Sequence, residues 1–399
     1  DGLKPSQRKV LHACFARNLT QEMKVAQLAS YVSEKTAYHH GEVSLAETIV
    51  KLAQDFTGSN NINVLAPCGQ FGTRIMGGKD ASQSRYIFTK LSPETRKIFD
   101  PRDDAVLNYL EDDGKPVEPE YFVPTLPMVL VNGTKGIGTG FSSSIPPFNP
   151  EDLRRVIKQK VIHGEKLKNC LKPWFKDFTG TVTRQDEHTW VATGTYSGGH
   201  VTELPPGRWT QDFKEHLDKL LEEKTISNYV NNSTTEKVDF KIVGYSGNDP
   251  VKDFKLSETY KTSNMNLFHP VTGIKKNETP EEILYDYVDI RMQFFEKRKK
   301  HLLEKLRERA TVCSHKAQFV WAVVNDQLKV FKRKRQDLEA EIAQHFPKVE
   351  GSHGYLLDIK TWQYTEEAIQ SLVQQTQEAN REFNELSSKT PKELWLECL

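Results

Sequence analysis

The spacing of apolar residues predicts three helices in the first sixty residues. Apolar side chains recur every three or four positions at 5–15, 25–32 and 44–58, which is the period of one buried helix face. A capping-box pattern at Ser44 marks the start of the third helix. After a glycine-rich loop, residues 86–89 are rich in strand-forming types. Short helices, a turn and a strand together predict a winged helix-turn-helix.

The texture changes at about residue 120. Residues 121–131 alternate prolines with a strand-like apolar run, and Asn149 caps a helix that begins at Pro150. Between 178 and 265, short β-like runs such as 238–243 are separated by glycine and proline turns. The middle of the chain therefore reads as a mixed α+β domain.

The last third predicts a long antiparallel coiled coil. Thr279 and Pro280 begin a long helix, and residues 369–386 carry apolar side chains at alternating spacings of three and four, which is a heptad seam. The intervening segment, about 320–365, contains Trp, Phe, Pro and Gly residues that suit a compact knob at the end of the coil. A final helix restarts at Thr390.

Composition excludes several classes of protein. The chain has 399 residues, a net charge of +1 and a mean hydropathy of −0.61, with no apolar run that predicts a membrane span. Its five cysteines lack a Cys-x-x-Cys pair, so neither a zinc site nor a disulfide framework is indicated. Because the chain opens without an initiator methionine, we expect a piece of a longer polypeptide.

Charge is segregated along the chain. Residues 100–120 carry eight acidic side chains against two basic ones, and 291–309 carry eight basic against three acidic. A second basic run lies between Lys329 and Arg335. We interpret the acidic stretch as a solvated loop whose Asp103-Asp104 pair lacks a metal-binding pattern. Local stripes, and not the net charge, would define a binding face.

Tyr86 is the strongest candidate for chemistry. It follows Arg85 and a loop containing Gly77, Gly78 and Lys79, whose backbone and charge could approach a phosphate. A phenol beside a fixed cation can act as a nucleophile on a phosphodiester. The spacing alone equally fits a strand in which the tyrosine pairs across a sheet.

Two other motifs leave alternatives open. His39-His40 could be bases or ligands, or a polar pair in a turn, and no further ligand lies at metal-binding spacing. The segment Gly133–Gly140 resembles a phosphate-cradling loop but lacks the Gly-Lys-Ser/Thr of a P-loop. Its single aliphatic residue, Ile137, either packs inward or stands exposed and wedges between base steps of a duplex.

Seven motifs in order along the chain resemble the breakage-rejoining region of eukaryotic-type DNA topoisomerase II, a type IIA enzyme. They cover nearly the whole sequence, and they are DGLKPSQRKVL at 1–11, YHHGE at 38–42, GQFGTR at 69–74, GGKD at 77–80, RYIFT at 85–89, GIGTG at 136–140 and TPKELWL at 390–396.

The resemblance implies roles for individual residues. Tyr86 would become linked to a DNA 5′-phosphate, Arg85 would stabilise the transition-state charge, and Ile137 would be the intercalating wedge. The predicted DNA-contact set, which also includes Ile137, is Lys4, Arg8, Lys9, Tyr38, His39, His40, Gln70, Arg74, Lys79, Lys255, Lys261, Thr262 and Asn264.

The resemblance also implies a multidomain α+β fold. Residues 1–122 would form the winged-helix domain with the catalytic tyrosine, 123–272 a mixed α/β tower, and 273–399 the coiled coil with a helical dimer gate at about 320–365. Mg²⁺ and ATP would be bound by parts of the full-length protein outside this chain. One departure from the family pattern is Cys398, where an acidic residue is expected.

We expect double-stranded DNA and a second copy of the chain as partners, and no membrane. A nuclear enzyme is the default expectation, with organellar and large-DNA-virus versions as alternatives. We expect these residues alone to bind DNA but to cut it poorly, because the metal ligands lie elsewhere. The rival function is a non-catalytic, dimerising protein that bends DNA. A tyrosine recombinase is disfavoured, because its arginine and histidine set is not visible.

Overall fold

The structure, a computed structural model, describes residues 1–138 and 140–399 and has a mixed α+β fold. It divides into two compact units, one formed by residues 1–292 with 398–399 and the other by 293–397. The three domain boundaries given above stay predictions, because this division does not separate the winged-helix and tower regions.

The N-terminal region is a winged helix-turn-helix, as predicted. Its three helices precede an antiparallel sheet of order β1-β3-β2 and bury aliphatic side chains such as Leu11, Leu28 and Leu45. The elements are α1 (Pro5–Ala16), β1 (Met23–Lys24), α2 (Val25–Lys35), α3 (Glu42–Ala53), β2 (Leu65–Cys68) and β3 (Phe88–Leu91).

The predicted cap at Ser44 is wrong. Helix α3 begins two residues earlier, after Gly41, which takes the extended N-cap conformation, and Glu42 places its negative charge in the first turn. The helix also ends at Ala53, before the predicted limit near residue 58.

The acidic segment is not a solvated loop. It forms α4 (Thr95–Ile98), a 3-10 helix at Pro101–Val106, and the hairpin of β4 (Tyr109–Asp112) and β5 (Lys115–Pro119). Two of its carboxylates are buried against cations from distant segments. Asp103 pairs with Arg291 at 2.8 Å, and Glu118 pairs with Lys9 at 2.9 Å. Ion pairing of this kind offsets the cost of burying a charge.

The strand-like run at 121–131 is not a strand either. Pro124 and Pro127 lack the amide hydrogens that a sheet ladder needs, and the final residues form the short buried helix α5 (Met128–Val131). The hairpin of β6 (Thr134–Gly138) and β7 (Phe141–Ile145) follows. Helix α6 (Pro150–His163) then begins as predicted, because the Asn149 side chain accepts a hydrogen bond from the Glu151 amide.

The mixed α+β region contains small antiparallel sheets, including β10-β11-β13-β12, β14-β9-β8 and β15-β16. Helix α7 covers the first of these sheets, where the rings of Phe213 and Phe240 lie 5.0 Å apart. The elements are β8 (Thr181–Arg184), β9 (Thr189–Thr193), β10 (Thr195–Ser197), β11 (His200–Glu203), α7 (Thr210–Glu222), β12 (Asn228–Asn231), β13 (Phe240–Val243), α8 (Pro250–Asp253), β14 (Ser257–Lys261), β15 (Met265–His269) and β16 (Gly273–Asn277).

Residues 293–397 contain the predicted antiparallel coil. Its two long helices run in opposite directions, since Lys299 contacts the Ser387 carbonyl and Arg309 approaches Glu382 at 3.8 Å. At the end of the coil, Phe319 and Leu338 belong to a separate small core that forms the predicted knob. The elements are α9 (Pro280–Val324), α10 (Arg335–His345), α11 (Gly354–Leu357), a 3-10 helix (Thr361–Gln363), α12 (Glu366–Ser388) and α13 (Pro391–Cys398).

The length and apolarity that a bilayer crossing requires are not combined in any helix within residues 1–138 and 140–399.

Candidate functional site

Tyr86 lies in a turn immediately before β3, with its side chain 66% exposed. Its neighbour Ile87 is buried, and the Ile87 carbonyl accepts a hydrogen bond from the Val25 amide at 2.9 Å. Ile87 therefore anchors the chain while Tyr86 points outward. Pairing in β3 starts only at Phe88, so Tyr86 is not a cross-strand residue.

Arg85 provides the cation beside this phenol. Its guanidinium carbon lies 5.0 Å from the centre of the Tyr86 ring, and both side chains are exposed. This distance is within the range of a cation–π contact. The arrangement presents a nucleophilic hydroxyl and a hydrogen-bond donor for phosphate oxygens on the same surface.

The glycine-rich loop before Tyr86 folds tightly upon itself. The Thr73 amide donates to Asp80 at 2.8 Å, and the Gly78 amide donates to the Thr73 carbonyl at 2.9 Å. Gly78 has a φ of +83°, and a Cβ atom there would collide with the Gln54 amide. A side chain is therefore excluded at Gly78 both by its conformation and by its surroundings.

Several predicted DNA-contact residues meet at one cavity of about 1120 Å³. Ile137 on β6 stands at its edge with 95% of its side chain exposed, so the inward-packing alternative is wrong. The predicted residues that line the cavity are Lys4, Arg8, Lys9, Tyr38, His39, His40 and Ile137.

Carboxylates moderate the charge of this cavity. Arg8 pairs with Asp1 at 3.0 Å, and His39 lies 3.2 Å from Asp112. The ring of His40 packs edge-on against Tyr38 at 5.4 Å. The His39-His40 pair therefore lies in a turn and takes part in polar and aromatic contacts.

A second cavity, of about 680 Å³, lies beside Lys4 and Lys261. Two further cations from other segments also line it, Lys135 on β6 and Arg208 just before α7. Sequence reasoning missed both of them, because neither belongs to a motif. Only the folding of separate segments around one cavity reveals them.

Some predicted contacts have little surface to offer. Arg74 is 5% exposed and pairs with Glu203, and Thr262 is 2% exposed. The Asn264 amide donates to Ser142 at 2.9 Å. Lys255 is exposed just before β14. The structure thus assigns Arg74 and Thr262 to the interior, which argues against direct DNA contact by either.

The structure does not gather every predicted residue at one place. Arg85 and Tyr86, together with the exposed Gln70 and Lys79, line neither of these two cavities. Among residues 1–138 and 140–399, no group of three or more His, Cys, Asp or Glu side chains could hold a metal ion. We therefore derive no chemical step through a metal bound to this chain.

Comparison with known proteins decides the family. The model for the DNA gyrase/topoisomerase IV family, built on its A subunits, matches residues 1–399. The chain belongs to this family. It is 39% identical over 420 residues to the mitochondrial DNA topoisomerase 2 of Dictyostelium discoideum, covering 99% of this chain and 32% of that protein. The DNA topoisomerase 2 of Saccharomyces cerevisiae is 37% identical, with the same coverage of each chain.

A solved structure has the same fold. It is the DNA-binding, cleavage and re-ligation domain of Plasmodium falciparum topoisomerase II, with a TM-score of 0.93 and 40% sequence identity. The match covers 100% of this chain and 60% of that one. The chain spans about a third of the length of the two curated relatives named above.

Proposed function

We propose that this chain is the DNA cleavage and rejoining core of a type IIA DNA topoisomerase. The single observation that carries the proposal is the exposed Arg85-Tyr86 pair, held at the end of a rigid loop in a chain of this family. Tyr86 would attack a phosphodiester on one DNA strand, and a second copy would attack the other. The gate so opened would admit a second duplex.

The proposed reaction is a transesterification. The Tyr86 oxygen forms a bond to phosphorus, the bond from phosphorus to the 3′ oxygen breaks, and a 5′-phosphotyrosyl link remains. The phenolic proton leaves, and the departing 3′ oxygen takes up a proton. Because one phosphate ester replaces another, the reverse step reseals the strand without added energy. Arg85 would stabilise charge on the phosphoryl oxygens, which is usually the dominant contribution.

The proposed DNA surface includes the cavity beside Ile137. Lys4, Lys9 and Arg8 lie near an apolar side chain that is almost fully exposed. Inserting such a wedge unstacks a base step and bends the duplex, at a cost of a few kcal/mol. Contacts between phosphates and basic side chains would offset that cost.

We propose a homodimer that associates through the knob. Trp362, Phe331 and Trp321 are 69%, 63% and 47% exposed there. Large exposed apolar side chains on one small substructure are typical of a protein interface. A second copy of the same knob would bury them.

Mg²⁺ and ATP are proposed to bind parts of the full-length protein outside this chain. When bound near the site, Mg²⁺ would supply further stabilisation of the phosphoryl charge. The nucleus is the proposed compartment, although one relative is named as mitochondrial.

The test is Tyr86→Phe in the full-length protein, with Tyr31→Phe as a matched control. Tyr31 also has a cation over its ring, because the Arg17 guanidinium carbon lies 5.1 Å from the ring centre. Denaturant-trapped complexes with labelled DNA would report the covalent adduct. We expect Tyr86→Phe to abolish the adduct while DNA binding persists, and Tyr31→Phe to retain it.

The rival function, a non-catalytic protein that bends DNA and dimerises, predicts a different result. It requires that no covalent adduct forms with either variant or with the unaltered protein. An adduct that survives Tyr86→Phe would place the chemistry on another side chain and refute the proposal.

A further inference from the structure

Arg74 and Glu203 form a buried pair that joins the glycine-rich loop to the middle of the chain. The two side chains are 6% and 3% exposed, and the Arg74 guanidinium also donates to the Leu204 carbonyl at 3.1 Å. The other carboxylate oxygen of Glu203 accepts from the amide and the hydroxyl of Thr179, each at 2.9 Å. Both oxygens of this carboxylate are therefore engaged.

The start of helix α7 rests on the same loop. A helix leaves its first amides without partners inside the helix, and no side chain caps Trp209. Instead, the Gln211 amide donates to the Ile75 carbonyl at 2.9 Å, and the Thr210 amide lies 3.4 Å from the Arg74 carbonyl. The indole of Trp209 packs so closely over Gly77 that a side chain would not fit there.

Hydrogen bonds carry this attachment along the loop toward Tyr86. Asp80 accepts from the Thr73 amide, next to Arg74, at 2.8 Å. The Ser82 amide donates to the Gln70 carbonyl, and the Tyr86 amide donates to the Gln83 carbonyl, each at 2.9 Å. The loop that begins at the buried pair thus closes upon itself before it presents the phenol.

We propose that Arg74 and Glu203 are positioning residues that hold the Tyr86 loop in its reactive conformation. The inference rests on the proposed cleavage function. Burial removes Arg74 from the surface that a duplex could reach, and its charge serves to fix the loop to β11 and α7. Small displacements of a reacting group are costly because the attack requires near-exact alignment.

The experiment compares Arg74→Met, Arg74→Lys and Glu203→Gln in the full-length protein, with Arg155→Met as the control. Arg155 also pairs with a carboxylate, Asp152 at 3.2 Å, but both side chains are about half exposed. Covalent adduct is measured over time at saturating DNA, and DNA affinity is measured separately. Melting temperatures establish that each variant is folded at the assay temperature.

We expect Arg74→Met to lower the rate of adduct formation about tenfold or more, with DNA affinity changed less than threefold. Glu203→Gln should behave similarly, because an amide cannot accept from Arg74 and from Thr179 at once. Arg74→Lys keeps the charge and should restore part of the rate. A loss of affinity equal to the loss of rate would overturn the proposal, since it would indicate a DNA contact.

Hydrogen exchange of the 399-residue chain tests the inference without any cleavage. Arg74→Met should accelerate exchange of the amides in 73–86 about tenfold, while the amides of α1 and of the coil keep their rates. Uniform acceleration would mean general destabilisation and would contradict a positioning role, as would no acceleration. If Tyr86→Phe failed to remove the adduct but the loop still exchanged selectively faster, the proposed function would fail and the attachment of the loop would stand.

Discussion

Arg291 on helix α9 places its guanidinium 2.8 Å from the carboxylate of Asp103, and these side chains are 0% and 5% exposed. The same guanidinium donates to the Val123 carbonyl at 2.7 Å. One cation near the start of the long helix therefore fastens two earlier segments, the 3-10 helix and the proline-rich stretch. This pair gives the acidic segment a structural role.

Arg291→Met should destabilise the protein by about 3–5 kcal/mol, because it leaves the Asp103 carboxylate buried without its partner. Urea denaturation followed by fluorescence would measure the loss. Arg155→Met, which breaks an exposed pair, should cost under ~1 kcal/mol. Equal losses in the two variants would show that Asp103 reaches water when its partner is removed.

The helices were predictable because their evidence is local. Apolar spacing and the Asn149 cap lie within a few residues of the element that they predict, and the heptad seam places α12 in the coil. The partner of Asp103 could not be predicted, since it lies 188 positions away and charge patterning does not report which charges meet. The mistaken strand at 121–131 has the same origin, because apolar runs do not reveal whether they are buried as strand or as helix.

The candidate site divides in the same way. Arg85 and Tyr86 are neighbours in sequence, so their contact followed from the motif. Arg74, in contrast, was predicted to contact DNA because it follows a glycine-rich motif. Its burial against Glu203 depends on how β11 and α7 pack on the loop, which no spacing in the sequence reports.

Ile137→Ala should reduce the bending of bound DNA. If the side chain enters the base stack, removing its outer carbons forfeits apolar contact worth ~0.8 kcal/mol per methylene, so affinity should fall about tenfold. Energy transfer between dyes at the ends of a short duplex would report the bend. Ile162→Ala provides the control, because Ile162 is also exposed, at 52%, but lies on α6 outside both cavities.

An unchanged bend angle in Ile137→Ala would exclude this residue as the wedge. Loss of affinity with an unchanged bend would instead indicate a surface contact.

Replacing Trp362 and Phe331 by lysine should weaken self-association through the knob. Both aromatic side chains are more than half exposed, and burying each against a partner would contribute roughly 1.5–3 kcal/mol. Sedimentation of the 399-residue chain over a range of concentrations would measure the dissociation constant, which we expect to rise at least a hundredfold. Val243→Lys offers a control, because Val243 is 42% exposed on β13, far from the knob in sequence. A dimer that survived the double substitution would locate the interface elsewhere.

Acidification should destabilise the protein in part through His12. Burial lowers the pKa of this imidazole, and the nearby Lys35 and Lys9 lower it further, while Glu118 opposes them. In the unfolded chain a histidine titrates near ~6.5. Unfolding therefore takes up a proton below that pH, so the contribution of neutral His12 is fully present above about 6.5 and is lost as the pH falls toward the lower pKa of the folded state.

The measurement is the free energy of unfolding of the unaltered protein and of His12→Gln at pH 7.5 and at pH 5.5. At pH 7.5 the difference between the two proteins reports the lost packing, including the contact with the Tyr109 ring at 5.8 Å. Between the two pH values, His12→Gln should lose less stability than the unaltered protein, because it has no proton to take up at this position. Equal losses in the two proteins would mean that His12 titrates alike in the folded and unfolded states.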